Sequence, residues 1–267
     1  MSTPLDDLFI KVRAENRAAL IAYIPAGFPS QSGCVKAIQA LAAAGVDAIE
    51  IGFPYSDPVM DGPTIQEAAE IAIKAGTSAA DVLTALKSAS EAGVAAVVMT
   101  YWNPVEKYGV DNFARAVAAH GGSGVITPDL TIEESGPWLA ATSSSSINPI
   151  YVVAPSTSDA RLAQVAAKTG GFVYAASVMG VTGARANISV DAASLVSRIR
   201  VVTSLPVCVG LGVSTREHAK SVAAYADGVI VGSAFIKLFL DAENEDGALS
   251  AVSLLAKELA AGVREGR

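Results

Sequence analysis

Short apolar runs alternate along this chain with longer Ala-rich segments in which apolar residues recur at helical spacing. The first kind reads as buried strand and the second as amphipathic helix. Strands are expected near 20–25 (LIAYIP), 47–52 (DAIEIG), 95–100 (AAVVMT), 124–127 (GVIT), 149–154 (PIYVVA), 172–176 (FVYAA), 207–211 (VCVGL) and 228–232 (GVIVG), eight in all. Helical segments run over 33–44, 111–119, 158–168, 215–224 and 247–264, and another is expected to begin near Thr64. An additional helix at 3–16 precedes the first strand and is placed to plug the bottom of a barrel. The Ser run 143–146 reads as a helix-to-strand turn.

Strand and helix in strict alternation imply a parallel sheet covered by helices. A doubly wound open sheet shares that alternation. The polar residues tip the choice toward an α/β fold closed as a single (β/α)8 TIM barrel over residues 1–267. Glu50, Asp61, Asn103, Asp129, Ser177, Thr182 and Ser233 are expected to gather just after the C-terminal ends of many strands, where barrels assemble their active sites. The length of 267 residues also fits the roughly 250 that a closed barrel needs.

Composition narrows the partners. A net charge of −7 disfavours nonspecific binding to nucleic acid or an anionic membrane, while leaving open an anion held by backbone N–H groups. Cys34 and Cys208 form no disulfide or zinc framework, the N-terminus lacks the character of a signal peptide, and no apolar run reaches the length of a membrane span. A cytoplasmic location is expected. The nine lysines fall in helical or polar segments rather than strand interiors, which disfavours a Schiff base inside the barrel. His120 and His218 sit on outer helical segments and are expected to face solvent, so a metal-dependent aldolase is disfavoured too. There is no dinucleotide fingerprint and no nucleophile beside a base.

Carboxylate chemistry on a phosphorylated substrate remains. Glu50 lies between Ile49 and Ile51 in a run too apolar for a surface strand, and a buried carboxylate is costly unless it is paired or used. The bland alternative is a Glu satisfied by backbone or Tyr hydroxyl groups. After it, FPYSDPVMDGPTIQ (53–66) is a stiff, Pro-rich loop carrying Asp57 and Asp61. Either aspartate can be a plain turn former, and the residues by themselves leave the two tied. Three Gly-containing turns, GVTG (180–183), GLGVS (210–214) and VGSAF (231–235), follow later strands, and the last two occupy the positions where barrels bind phosphate. Ser233 opens a short helix, SAFIKLF, after the eighth strand.

YIPAGFP (23–29), DAIEIGFPYSDPVMDGPTIQ (47–66), MTYWNPV (99–105), SVMGVTG (177–183), GLGVS and DGVIVGSAF (227–235) together resemble the α subunit of tryptophan synthase, in order and over nearly the whole chain. The resemblance implies a lyase that cleaves indole-3-glycerol phosphate to indole and glyceraldehyde 3-phosphate, with Glu50 as general acid/base and Asp61 as the second catalytic carboxylate. It places Tyr23, Met99, Tyr101, Ile126, Val152, Tyr174, Thr182 and Leu211 against the substrate, and Gly183, Gly212, Gly232 and Ser233 on its phosphate. It further implies no cofactor and no metal in this chain, and an αββα complex with a β subunit that carries pyridoxal phosphate, contacted near Asp57, Pro58, Asn103 and Asp129. Three departures stand out: TPDL (127–130) keeps Asp129 but displaces a proline, Phe28 stands where an acidic residue or Tyr is common, and Val178 stands where some members have Arg. Competing readings are a stand-alone lyase releasing free indole, a sugar-phosphate isomerase on the same barrel, and a catalytically silent subunit.

Overall fold

The computed structural model describes residues 2–176, 185–210 and 212–267, with the side chains of 185–190 left aside. Its strands are β1 (Ala19–Pro25), β2 (Ala48–Gly52), β3 (Ala95–Met99), β4 (Gly124–Ile126), β5 (Asn148–Ile150), β6 (Val152–Val153), β7 (Val173–Ala176), β8 (Val207–Gly210) and β9 (Gly228–Val231). The helices are α1 (Pro4–Ala14), α2 (Gln31–Ala43), α3 (Pro63–Lys74), α4 (Ala79–Glu91), α5 (Trp102–Tyr108), α6 (Val110–Ala119), α7 (Gly136–Ser145), α8 (Asp159–Ala166), α9 (Arg185–Val202), α10 (Arg216–Ala223), α11 (Ser233–Leu240) and α12 (Glu245–Glu265).

All strand pairs are parallel and run in the order β5-β4-β3-β2-β1-β9-β8-β7-β6. The two ends of that order, β5 and β6, are one stretch of chain interrupted at Tyr151. Thr127 N–H donates to Ile150 O on one side (3.2 Å) and Tyr174 N–H to Tyr151 O on the other (3.1 Å), so the barrel closes across the break. The fifth strand, expected unbroken over 149–154, is therefore two short pieces, the first bonded to β4 and the second to β7. Pro149, which has no N–H to give a ladder, lies in the first piece.

Strand interiors are apolar on both sides because helices cover the outside while side chains fill the inside. Every residue of β1, β2 and β3 is buried. The expected N-terminal plug is α1. Thr3 and Asp6 cap it reciprocally, Pro4 opens it, and Leu5, Phe9 and Val12 lie on its buried face. Asn148 Nδ2 donates to Thr3 Oγ1 (3.0 Å) and the rings of Phe9 and Phe172 meet edge-on at 5.8 Å, which seats the helix under the N-terminal ends of β5 and β7.

Of the Ser run, 143–145 complete the last turn of α7, and only Ser146 makes the turn, in the left-handed region (φ 55°). No helix among the described residues is long and apolar enough to cross a membrane.

Candidate active site

In a parallel ladder, paired residues share a face and residues two apart on one strand share it too. Tyr23 pairs with Glu50, Gly52 with Met99, Met99 with Ile126, and Val152 with Tyr174. These side chains form one row, and Glu50 raises the pKa of Tyr174 four strands away round the barrel wall, so the row faces inward. Five of the expected substrate-contacting residues, Tyr23, Met99, Ile126, Val152 and Tyr174, thus share one chamber with Glu50. Two glycines make room for its tyrosines. A Cβ on Gly52 would stand 2.3 Å from the Tyr23 hydroxyl, and one on Gly210 would stand 2.7 Å from the Tyr174 hydroxyl.

Glu50 is 1% exposed, and neither carboxylate oxygen has a hydrogen-bond partner among the described residues. Among those residues the bland alternative of a Glu satisfied by backbone or Tyr hydroxyl groups finds no support. Burial, reinforced by the nearby charge of Asp61, pushes the Glu50 carboxyl up to about 8. Near neutral pH it holds a proton in an apolar chamber, ready to deliver it.

Asp57 and Asp61 differ in their surroundings. Asp57 is exposed and accepts a hydrogen bond from the adjacent Ser56 hydroxyl at 2.5 Å. Asp61 is half-buried and its charge acts on Glu50, Tyr23 and Tyr174. Its own carboxyl is raised by burial, opposed by the hydroxyl of Tyr101. Tyr101 is 3% exposed and accepts from Met60 N–H at 3.3 Å, so it sits on the loop that carries Asp61.

All nine lysines are exposed, and no group of His, Cys, Asp and Glu among the described residues is arranged to hold a metal ion. His218 is exposed as expected, near the start of α10. His120 is half-buried instead of solvent-facing, because Nδ1 folds back to Ala116 O at 2.7 Å at the end of α6.

A family model described as the tryptophan synthase alpha chain matches residues 9–264. The alpha chain of Thermobifida fusca is 54% identical over 95% of each chain, and that of Acidothermus cellulolyticus is 55% identical over 98% of this chain and 97% of its own. A solved structure of Mycobacterium tuberculosis tryptophan synthase superposes with a TM-score of 0.91 at 50% identity, covering 99% of both chains. The chain belongs to the tryptophan synthase alpha chain family.

In this alpha chain the last βα turn opens beside the same chamber. Gly232 caps α11, which begins at Ser233 as expected, and a Cβ on Gly232 would stand 3.0 Å from the Tyr23 ring. Gly212 is exposed in the turn after β8. Ser177, Val178, Thr182, Gly183 and Leu211 lie outside the described residues.

The residues assigned to partner contact fall on the outer rim. Asp57 and Asn103 are exposed and Pro58 is half-buried. Beside them a cleft of about 480 Å³ is lined by Phe53, Tyr55, Asn103, Pro104 and Tyr108 among others. Asp129 is exposed too, but its carboxylate oxygens accept from Trp102 N–H at 2.9 and 3.1 Å, satisfying the first turn of α5. That capping role was not visible in the sequence, since Asp129 and Trp102 come from different βα units. Nor was the place of Tyr101 on the Asp61 loop. Its only signal was a second aromatic directly after the third strand.

Proposed function

We propose that Glu50 and Asp61 carry the cleavage of indole-3-glycerol phosphate in this alpha chain. The observation that carries the assignment is the buried Glu50 carboxyl with no hydrogen-bond partner among the described residues, raised to about 8 and facing an apolar, tyrosine-lined chamber. Protonated Glu50 transfers its proton to carbon 3 of the indole, which becomes an indolenine cation. Ionised Asp61 stabilises the positive charge at the ring nitrogen. The Glu50 carboxylate then takes the proton of the glycerol hydroxyl next to the ring. That hydroxyl carbon becomes the aldehyde of glyceraldehyde 3-phosphate, the bond to carbon 3 breaks, and its electron pair restores the indole. Glu50 ends protonated, ready for the next turnover.

Met99, Ile126 and Val152, with Tyr23 and Tyr174, supply the slot for the indole ring, joined by Tyr101, Thr182 and Leu211 in the full site. The phosphate rests on backbone N–H groups of Gly183, Gly212, Gly232 and Ser233, where the positive end of α11 favours an anion. The rim formed by Asp57, Pro58, Asn103 and Asp129 meets a β subunit in an αββα assembly, which takes up the indole. Pyridoxal phosphate belongs to that partner, and this chain needs no cofactor for the proton transfers described.

Indole release from indole-3-glycerol phosphate, measured with and without a β subunit, tests the reading. Cleavage that rises on adding the β subunit and is lost in Glu50→Gln is the expected result. Wild-type cleavage by Glu50→Gln overturns the assignment. High turnover alone with no gain from the partner overturns the subunit role and leaves a stand-alone lyase.

A further inference from the structure

The loop from β2 to α3 must hold Asp61 over the chamber although half of it is exposed. Val59 is 77% exposed and Met60 39%. Pro54, Pro58 and Pro63 restrict the backbone but do not tie it to the barrel. The tie comes from the end of the neighbouring strand. Tyr101 follows β3 by two residues and is buried, and its hydroxyl accepts from Met60 N–H, one residue before Asp61. Its ring lies 5.1 Å from that of Tyr55, tilted by 32°, so the start of the same loop packs on the same side chain. Tyr55 is held in turn by Asn103, whose Nδ2 donates to the Tyr55 hydroxyl at 3.0 Å.

We infer that Tyr101 is a positioning residue for cleavage, its hydroxyl holding the Asp61 segment over the chamber while Tyr55 and Asn103 brace its ring from the rim. This rests on the assignment of Asp61 as a catalytic carboxylate, and goes beyond the place of Tyr101 in the wall of the substrate slot. A phenol that accepts from Met60 N–H still has its own proton to give, and the Asp61 carboxylate is the acceptor it favours in the charged form. The groups that share a field with Asp61 are Glu50 on β2, Tyr23 on β1, Tyr174 on β7 and Tyr101 after β3. Of these only Tyr101 lowers the Asp61 pKa. Removing its hydroxyl raises that pKa and shortens the pH range in which Asp61 is ionised.

The test is steady-state cleavage of indole-3-glycerol phosphate across pH by the full chain with its β subunit, in wild type, Tyr101→Phe, Asp61→Asn and the double variant. Phe keeps the ring and its packing on Tyr55, and a thermal melt of each variant checks that the fold is retained. Tyr101→Phe is expected to lower kcat about tenfold, the size typical of losing a hydrogen bond to a charged group, with KM within about threefold. The acid limb of its kcat/KM profile is expected to move to higher pH. Because Tyr101 acts through Asp61, the double variant is expected to be no slower than Asp61→Asn alone. Asn103→Ala, which loosens the brace from outside, is expected to give a smaller loss of the same kind.

Wild-type kcat and an unmoved acid limb in Tyr101→Phe, with Asp61→Asn impaired, overturn the inference and leave the Asp61 assignment standing. Equal fold-losses from Tyr101→Phe in the presence and absence of the Asp61 carboxylate also overturn it, by showing that the hydroxyl acts on the substrate directly. Full activity in Asp61→Asn removes the assignment and the inference together.

Discussion

Asp227, at the foot of β9, and Glu50, in the middle of β2, are buried almost equally, at 2% and 1% exposure, yet their surroundings have little in common. Asp227 accepts from Val207 N–H at 3.0 Å, from Arg200 at 3.2 Å and from Arg267 at 3.0 Å, with Arg13 within 3.8 Å. Burial alone would raise its carboxyl; the backbone donor and the guanidinium groups outweigh it and hold the pKa below its ordinary value. Asp47, at the same end, is matched likewise, accepting from Arg17 through both Nη atoms at 2.8 and 2.9 Å and from Leu20 N–H at 2.8 Å. Among the described residues Glu50 has none of this. At the N-terminal end of the barrel carboxylates join chain segments, whereas the one within β2 is left unmatched and raised, which is the environment that the proposed proton transfer requires.

The comparison breaks most visibly if the unmatched acid proves dispensable. Glu50→Gln is expected to lower kcat by about 10³-fold, within the range for removal of a general acid/base. Stopped assays of indole release check this, and a loss under tenfold would place Glu50 with the structural acids. Asp61→Asn is expected to lower kcat by about 10²-fold with substrate still bound, as for loss of one charge-stabilising group. Single-turnover cleavage together with substrate affinity separates the two effects.

At the other end the expected change is in stability. Asp227→Asn leaves three arginines facing a neutral group, and should cost about 2 kcal/mol after allowing for the exposure of Arg13 and Arg200. Chemical denaturation measures it, with kcat of the folded enzyme unchanged. Since the folded-state pKa of Asp227 is depressed, its contribution is present above the unfolded value and is lost as pH falls through the folded one. The gap between wild type and Asp227→Asn should therefore close below about pH 4.

The smallest effect carries the opposite sign. Glu50 keeps its proton in the folded state up to about 8 whereas the unfolded chain releases it near 4.5, so the folded state binds more protons between those values and stability falls as pH rises. Glu50→Gln removes that dependence. Between pH 6 and 7 wild type should lose about 1 kcal/mol relative to the variant, read from paired denaturant curves. A Glu50→Gln protein less stable than wild type at pH 8 would mean that Glu50 has partners after all.

Much of this was legible along the chain because its signals repeat at short range. The short apolar runs of the strands and the helical spacing of the segments between them set the order of the βα units. The observed boundaries of β1, β2, β3 and α12 lie within two residues of those read from the pattern. The fifth strand was the exception, since an apolar run cannot show where its hydrogen-bonding neighbour changes from β4 to β7. Glu50 was legible for the same local reason: Ile49 and Ile51 on either side place it in a strand that helices must cover.

What the residues alone determined, then, was a buried acid on the second strand of a barrel with phosphate-type turns after its last two strands. Three-dimensional closure decided the rest. Asp57 and Asp61 lie four places apart in a loop with no period, and the arrival of Tyr101 from the next strand, together with Gln66 Nε2 donating to Asp61 O at 2.7 Å, gives Asp61 surroundings that the exposed Asp57 lacks. Whether a buried carboxylate is matched is likewise a property of distant segments. Asp227 meets arginines from α1, α9 and the C-terminus, while Glu50 meets none among the described residues, and no local pattern records which side chains the fold brings together.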